Sequence, residues 1–299
     1  MLTTHRFQLL LFGVTATVGL AVAEPSLIDR AGMLKHHFAH RTDAAVQAIH
    51  YAPCEAESPS FENANGESCV PSEMASQLGS HVLLWHEDGN GPSVANTPPI
   101  NTQIGGSSLI AFSAGYTNNN TIPVDNKGNV WSPLGAPVVY RGYNGQFDVK
   151  AYAVFGAQGG IGHTLSIVKN GSPSGEITVP FIEIRQSRSL HSIAQNYPTA
   201  ASVVHSGSVT TSGAATLLAF WWGDATGLQH SAIPDNGFSI IENFVNLPPN
   251  SAVQCVVAVR QVNSAGTYNV NWTQSPSEGA VLWLMAFQDN DLVFASGFE

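Results

Sequence analysis

The sequence has few charged side chains, and those it has are mostly acidic. Charged residues make up 11% of the 299 residues, against about 25% in typical soluble domains. Basic residues number 11 and acidic residues 21. Nucleic acids and anionic membranes both attract basic faces, so this balance argues against either as a partner. The sequence also lacks a dinucleotide fingerprint, a phosphate loop, G-x-S-x-G and H-E-x-x-H. We therefore predict no cofactor, metal ligand set or catalytic residue.

Apolar runs long enough to span a bilayer are also missing after the first 23 residues. Residues 1–23 combine a short polar start that contains Arg6, an apolar run at 9–20 and an A-x-A site at 21–23. This is the pattern of a cleaved signal peptide; a retained anchor is the alternative. We expect secretion, or residence in the periplasm or at the cell surface of a Gram-negative bacterium. No stable membrane insertion is expected after cleavage.

The chain has only three cysteines, and export would place them in an oxidising compartment. Cys54 and Cys69 flank a polar, acidic loop that has no core of its own. We predict a disulfide between them, which would close about 15 residues. Cys255 lies among alternating valines, which favours a buried free thiol over a nucleophile.

The residues that replace the charges are Ser, Thr, Asn and Gly, with 28 Gly and 17 Pro in total. Periodic apolar positions predict a helix at 26–50, followed by an acidic linker to residue 79. Eleven short apolar runs separated by turn residues then predict strands over 80–288, before a tail at 289–299. Residues 147–155 alternate, with apolar positions on one side and Asp148, Lys150 and Tyr152 on the other. We predict an all-β fold: a two-layer antiparallel β-sandwich, jelly-roll-like and pseudo-duplicated, with a short N-terminal helix.

The prediction of a duplicated fold rests on an internal sequence repeat of about 108 to 110 residues. Residues 108–134 align with 216–241, so that Leu109 meets Leu217 and Asp125 meets Asp235. The halves could be two domains or two parts of one sandwich, and about five predicted strands in each favour one sandwich. Both copies carry an Asp-Asn cluster with Gly, which predicts a turn rather than a calcium loop.

Several residues of the first half form a wider pattern, D-x-x-G-N-x-W-x-P-L followed by G-H-T-L. The pattern comprises Asp125, Gly128, Asn129, Trp131, Pro133, Leu134, Gly162, His163, Thr164 and Leu165. It resembles a β-sandwich domain of exported and phage-associated bacterial proteins, over roughly residues 80–288. The resemblance implies the fold but no activity. The last residues are similar to a short F-x-x-G-F-E ending of exported proteins; a last strand with a frayed tail is the alternative.

Aromatic residues give the main binding hypothesis. Trp221 and Trp222 are predicted on opposite faces of one strand, so that one of them points outward. Near Tyr116 and Asn118, an outward indole could stack on a sugar ring; the alternative is that this face is covered. Trp131, Trp272 and Trp283 are predicted in the core.

Acids and histidines suggest other chemistry without a matching motif. Glu183 is expected to pair with Arg185 or Arg188 on an exposed side. His36 and His40 are expected on a polar helix face, and His163 packed and hydrogen-bonded, while His191, His205 and His230 are scattered.

These observations favour an exported, non-catalytic surface, adhesion or ligand-binding protein, with a glycan or another cell-surface ligand as partner. The first alternative is a carbohydrate-active hydrolase, whose two carboxylates would have to converge in the fold. The second is a structural subunit of an extracellular assembly. The oligomeric state is not predicted.

Overall fold

The computed structural model describes residues 76–86, 93–116, 121–142, 145–169, 176–225, 229–246 and 253–288. The chain divides into two compact units, 1–70 and 71–299, and every described residue belongs to the second. The predicted signal peptide, helix, Cys54–Cys69 disulfide and C-terminal tail lie outside the described residues. Within the described ranges, no helix is long and apolar enough to cross a membrane.

Strands are the regular elements of the described part of the chain. In the first half they are β1 (Gln77–His86), β2 (Val94–Asn96), β3 (Ser107–Tyr116), β4 (Val124–Asp125), β5 (Ser132–Val139), β6 (Phe147–Ala157), β7 (Leu165–Val168) and β8 (Ile177–Arg185). In the second half they are β9 (Leu190–Asn196), β10 (Ala201–His205), β11 (Val209–Thr211), β12 (Ala215–Gly223), β13 (Ser231–Pro234), β14 (Ser239–Phe244), β15 (Cys255–Val262), β16 (Gly266–Tyr268), β17 (Asn271–Glu278) and β18 (Ala280–Phe287).

All strand pairs are antiparallel, and the two halves share one strand order. The first half has a five-stranded sheet, β1-β8-β3-β6-β5, and a small sheet, β2-β7-β4. The second half has β9-β18-β12-β15-β14 and β10-β17-β13, with β11 and β16 as an added pair. The prediction of an all-β fold with antiparallel sheets is confirmed, and the strand order of the first half recurs in the second.

The two five-stranded sheets contact each other through a shared apolar cluster. Phe112 on β3 is its centre: its ring centroid lies 4.2 Å from that of Phe220, 4.7 Å from Trp222 and 5.3 Å from Trp283. The three partners come from β12 and β18 of the second half. Because all four rings are fully buried, this cluster supplies a large share of the apolar burial that favours folding.

The outer faces of both large sheets are also covered, which the predicted two layers do not include. Trp131 and Phe181 belong to the cluster outside the first sheet, and Trp221 and Trp272 to the cluster outside the second. The cause is visible in the strands themselves. Every residue of β12 is buried, so an apolar strand with two apolar faces needs a layer on each side. The described ranges thus contain five sheets, where the sequence predicts two layers.

Strand β6 shows how well the alternation of apolar and polar residues predicts which side chains face the core. Phe147, Val149, Ala151 and Ala153 lie in the cluster between the large sheets, as predicted. Tyr152, which was expected on the solvent-exposed face of the strand, is 4% exposed because the small sheet packs over it. Phe155 is 43% exposed, against the prediction that it faces the core. The β3–β6 pairing shifts register at this point and Gly156 has φ 66°, so a bulge turns Phe155 out of the alternation.

Candidate functional site

The predicted sugar platform is not on the surface. Trp221 and Trp222 lie on opposite faces of β12, as expected, and both are 0% exposed. Trp222 packs between the large sheets. Trp221 lies under the small sheet of the second half and donates its Nε1–H to Oε1 of Gln274 at 2.7 Å. The prediction that one ring points outward is wrong, because β17 covers the face that would have carried it.

The other two predicted ligand-binding residues are Tyr116 and Asn118, and the structure describes the first of them. The Tyr116 ring lies 4.6 Å from that of Phe147, centroid to centroid. Burial, and then the charge of Glu176, raise the pKa of the Tyr116 phenol. Asn118 lies outside the described residues.

The first Asp-Asn-Gly cluster is a turn, as predicted, and Asp125 organises it. Its Oδ1 accepts the backbone N–H groups of Lys127 at 2.9 Å and Asn129 at 3.1 Å. Its Oδ2 accepts Asn129 Nδ2–H at 2.9 Å and Trp131 Nε1–H at 2.8 Å. Gly128, with φ 76°, provides the left-handed position. The carboxylate thus has four N–H donors and holds the loop to a core tryptophan.

His163 joins this network at full burial. Its Nδ1 lies 2.8 Å from Thr102 Oγ1, and its Nε2 lies 3.5 Å from Asp125 Oδ2. Burial by itself raises the pKa of Asp125, but His163, Asn129 and Trp131 together outweigh it and hold the pKa well below its usual range. The prediction that His163 is packed and hydrogen-bonded is confirmed. Because these side chains are closed off from solvent, the Asp–His–Thr series stabilises the loop and offers no site to a substrate.

Glu183 pairs with Arg185 at 3.2 Å, as predicted, but it is fully buried rather than exposed. Its Oε1 accepts Gln103 N–H at 2.6 Å and Ser107 Oγ–H at 2.8 Å, and its Oε2 accepts Ser80 N–H at 3.1 Å. These donors explain how a carboxylate is tolerated inside an apolar strand. The sequence could not show them, because Ser80 and Gln103 are distant in the chain.

A second buried pair lies in the other half, where His230 Nδ1 is 2.8 Å from Glu278 Oε1. His191 and His205 are exposed, and His205 Nδ1 bonds to Asn271 Oδ1 at 2.6 Å. No three metal-ligating side chains converge within the described ranges. His36 and His40 fall outside these ranges.

A surface groove lies between β5 and β6, with a volume of about 250 Å³. Three residues of β5, at 135–137, stand opposite the single residue Lys150 of β6, because the register shifts between Leu134 and Val138. The groove lies at this bulge, and Ala151 is among the residues that line it. The groove is lined by Ile122, Pro133, Gly135, Pro137, Lys150, Ala151 and Tyr152.

The second half of the molecule holds the bulge in place. Gln195 on β9 donates Nε2–H to the carbonyl of Ala136 at 2.7 Å and accepts the Ala136 N–H at 3.3 Å. Gly135 has φ 70°, and a Cβ there would lie 2.8 Å from Gln195 Oε1 and 2.9 Å from Trp283. Only glycine fits this position, so the shape of the groove is set by contact between the halves.

The groove has an apolar lining with a polar side. Lys150 Nζ lies 3.0 Å from Asp148 Oδ2, and the Tyr152 hydroxyl lies 3.5 Å from the carbonyl of Thr121. Burial raises the pKa of Asp148, and Lys150 acts against that rise. Proline and aliphatic surface beside an ammonium and a phenol suits a small ligand that has both apolar faces and hydroxyl groups.

Comparison with known proteins gives no assignment: no protein-family model, curated protein or solved structure matches the chain. Any function must therefore be inferred from the geometry.

Proposed function

We propose that this is an exported, non-catalytic ligand-binding protein of the cell surface or periplasm, and that the β5–β6 groove binds a saccharide. The observation that carries the proposal is the groove itself. A β-bulge opens it, and contacts from the other half of the molecule fix its shape.

The architecture supports a binding scaffold. We propose that each half is a jelly-roll-like sandwich and that the chain arose by duplication, since eight corresponding strands follow one order in both halves. Such folds carry binding sites on loops and edge strands while the sheets hold them in place. The sequence resemblance to a β-sandwich domain of exported proteins is in line with a scaffold of this kind.

A saccharide fits the chemistry of the groove better than an ion or a fully apolar molecule. Pro133, Pro137 and Ile122 offer C–H surface that can contact the apolar face of a sugar ring. Lys150 and Tyr152 can bond to its hydroxyl groups. The volume is slightly below the usual range of about 300 to 1,000 Å³ for small-molecule sites, which suits about one sugar ring.

A hydrolase is the weaker proposal. Glycoside hydrolysis normally needs two carboxyl groups that flank the scissile bond, and the lining of the groove includes neither Asp nor Glu. A cleaved product in the binding assay below would reverse this preference.

The test is a glycan array probed with the mature chain, followed by calorimetric titration of any saccharide that binds. Tyr152→Phe removes only the hydroxyl, and Lys150→Gln removes the ammonium while keeping a polar side chain. We expect each variant to bind about five- to thirtyfold more weakly, the loss that follows from removing one hydrogen bond of about 1 to 2 kcal/mol.

Matched controls come from the second half of the chain. Tyr268→Phe makes the same change on β16, and Arg260→Gln replaces another cation with the same polar side chain on β15; neither residue lines the groove. These controls should bind as well as the native protein, with melting temperatures close to those of the test variants. Equal losses in both sets, or no binding to any saccharide, would contradict the proposal.

A further inference from the structure

Three loops of the first half meet at one end of the molecule, and we call this surface the loop tip. The loops are residues 101–106, 126–131 and 157–163. Gly159 donates its N–H to the carbonyl of Ile104 at 3.0 Å, which joins the first loop to the third. Lys127 Nζ donates to the carbonyl of Ile161 at 2.9 Å, which joins the second to the third. The loops therefore form one braced surface with many of its backbone groups already bonded.

Each loop presents one large aliphatic side chain to solvent. Ile104 is 79% exposed, Val130 84% and Ile161 85%. These are the three most exposed large apolar residues in the described part of the chain. Single exposed aliphatic side chains are ordinary on protein surfaces, but three on adjoining loops form an apolar patch of the kind that indicates an interaction site.

The fold does not require these side chains. In the second half the corresponding connections, before β12, before β14 and after β15, carry Ser212, Gly237 and Ser264. The two halves share their strand order, yet only the first half has an apolar tip. The aliphatic residues are thus a property of this surface and not of the scaffold.

The charge around the loop tip is opposite to that of the whole chain, which has a net charge of −10. The three loops contain one charged residue, Lys127. The exposed Arg188 guanidinium lies beside the first loop, 3.9 Å from where a Cβ on Gly106 would be. The neighbouring carboxylates of Asp125 and Glu183 are both buried and bonded to the donors described above. Among the described residues at this end the accessible charge is cationic, and salt screens acids that lie more than about 10 Å away.

We propose that the loop tip docks reversibly on an anionic phospholipid surface. Ile104, Val130 and Ile161 enter the boundary between headgroups and acyl chains, while Lys127 and Arg188 lie at the level of the phosphates. Protruding aliphatic residues flanked by cations complement such a surface in both hydrophobicity and charge. This contact needs no spanning segment and leaves the β5–β6 groove free.

The experiment is co-sedimentation of the mature protein with vesicles of phosphatidylcholine containing about one quarter phosphatidylglycerol, at low and high salt. We expect binding that weakens as salt rises. Ile104→Ser and Ile161→Ser should each weaken partitioning about tenfold, since each removes a large aliphatic side chain from the interface. Lys127→Gln should weaken binding to anionic vesicles and leave the weaker binding to pure phosphatidylcholine unchanged.

The control is Ile233→Ser, which removes an isoleucine that is 61% exposed in the second half. It should bind vesicles like the native protein. The proposal is overturned if the native protein does not sediment with anionic vesicles, or if Ile104→Ser binds as well as Ile233→Ser. It is also overturned if the loop-tip substitutions instead abolish self-association, because a second copy of the chain would then be the partner.

Discussion

Asp125 and Asp235 occupy corresponding turns in the two halves. The same substitution can therefore be tested at Asp125, with Asp235 as the control. In Asp125→Asn the amide oxygen can keep the two bonds of Oδ1, but the amide nitrogen then faces the N–H groups of Asn129 and Trp131. Two charge-assisted bonds inside the protein are lost, each worth about 1.5 to 3 kcal/mol. We expect a loss of about 3 to 6 kcal/mol in the free energy of unfolding.

Asp235→Asn makes the same change in an exposed turn. The Asp235 carboxylate accepts from Asn271, through the backbone N–H at 2.8 Å and Nδ2–H at 2.6 Å. Its loss should be about 1 kcal/mol or less, because water can replace a lost bond. Urea unfolding followed by tryptophan fluorescence measures both variants. Equal losses, or a loss below about 1 kcal/mol for Asp125→Asn, would refute the assignment of Asp125 as the anchor of its loop.

The Asp125 carboxylate also predicts the direction in which the free energy of unfolding changes with pH. The pKa of Asp125 is lower in the folded protein than the usual value of about 3.9 for an unfolded chain. Its stabilising effect is therefore present above that unfolded value and is lost as the pH falls towards the folded pKa. The free energy of unfolding of the native protein should decrease below about pH 5, and Asp125→Asn should show a shallower decrease.

Three further predictions concern the interior. Phe112→Ala should cost about 3 to 5 kcal/mol in urea unfolding, since it removes the ring at the centre of the contact between the large sheets; a cost below about 1 kcal/mol would mean that the sheets do not pack there. Cys255 should not react with a thiol reagent until the protein is unfolded, because burial, and then the charge of Glu242, raise its pKa well above the ordinary value; rapid labelling of the folded protein would contradict this. Gly223→Ala should lower the melting temperature, as its Cβ would lie 2.4 Å from the Glu278 carboxylate, whereas Gly213→Ala, with its nearest neighbour at 3.6 Å, should change it little.

The main strands were predictable because their signal is local. All eleven predicted apolar runs contain strands, and the Asp-Asn-Gly clusters are turns for the expected reason. The missed strands are short or lie at edges. Strand β5 carries Pro133, Gly135 and Pro137, residues that mark a turn in sequence but are tolerated at the edge of a sheet.

The candidate site could not be predicted, because it depends on register. The groove exists since three residues of β5 face one residue of β6, and nothing in either segment alone shows that mismatch. The burial of Glu183 and Trp221 likewise depends on segments distant in sequence that cover them. An apolar run indicates that a strand is buried, but not how many layers bury it.

The proposed saccharide site is tested most directly by mapping a bound saccharide on the protein by nuclear magnetic resonance, using labelled mature chain and the strongest ligand from the array. We expect chemical-shift changes concentrated at Ile122, residues 133–137 and Lys150 to Tyr152, with Gln195 responding through its bonds to the bulge. Changes centred on the loop tip or in the second half, with the β5–β6 groove unaffected, would contradict it.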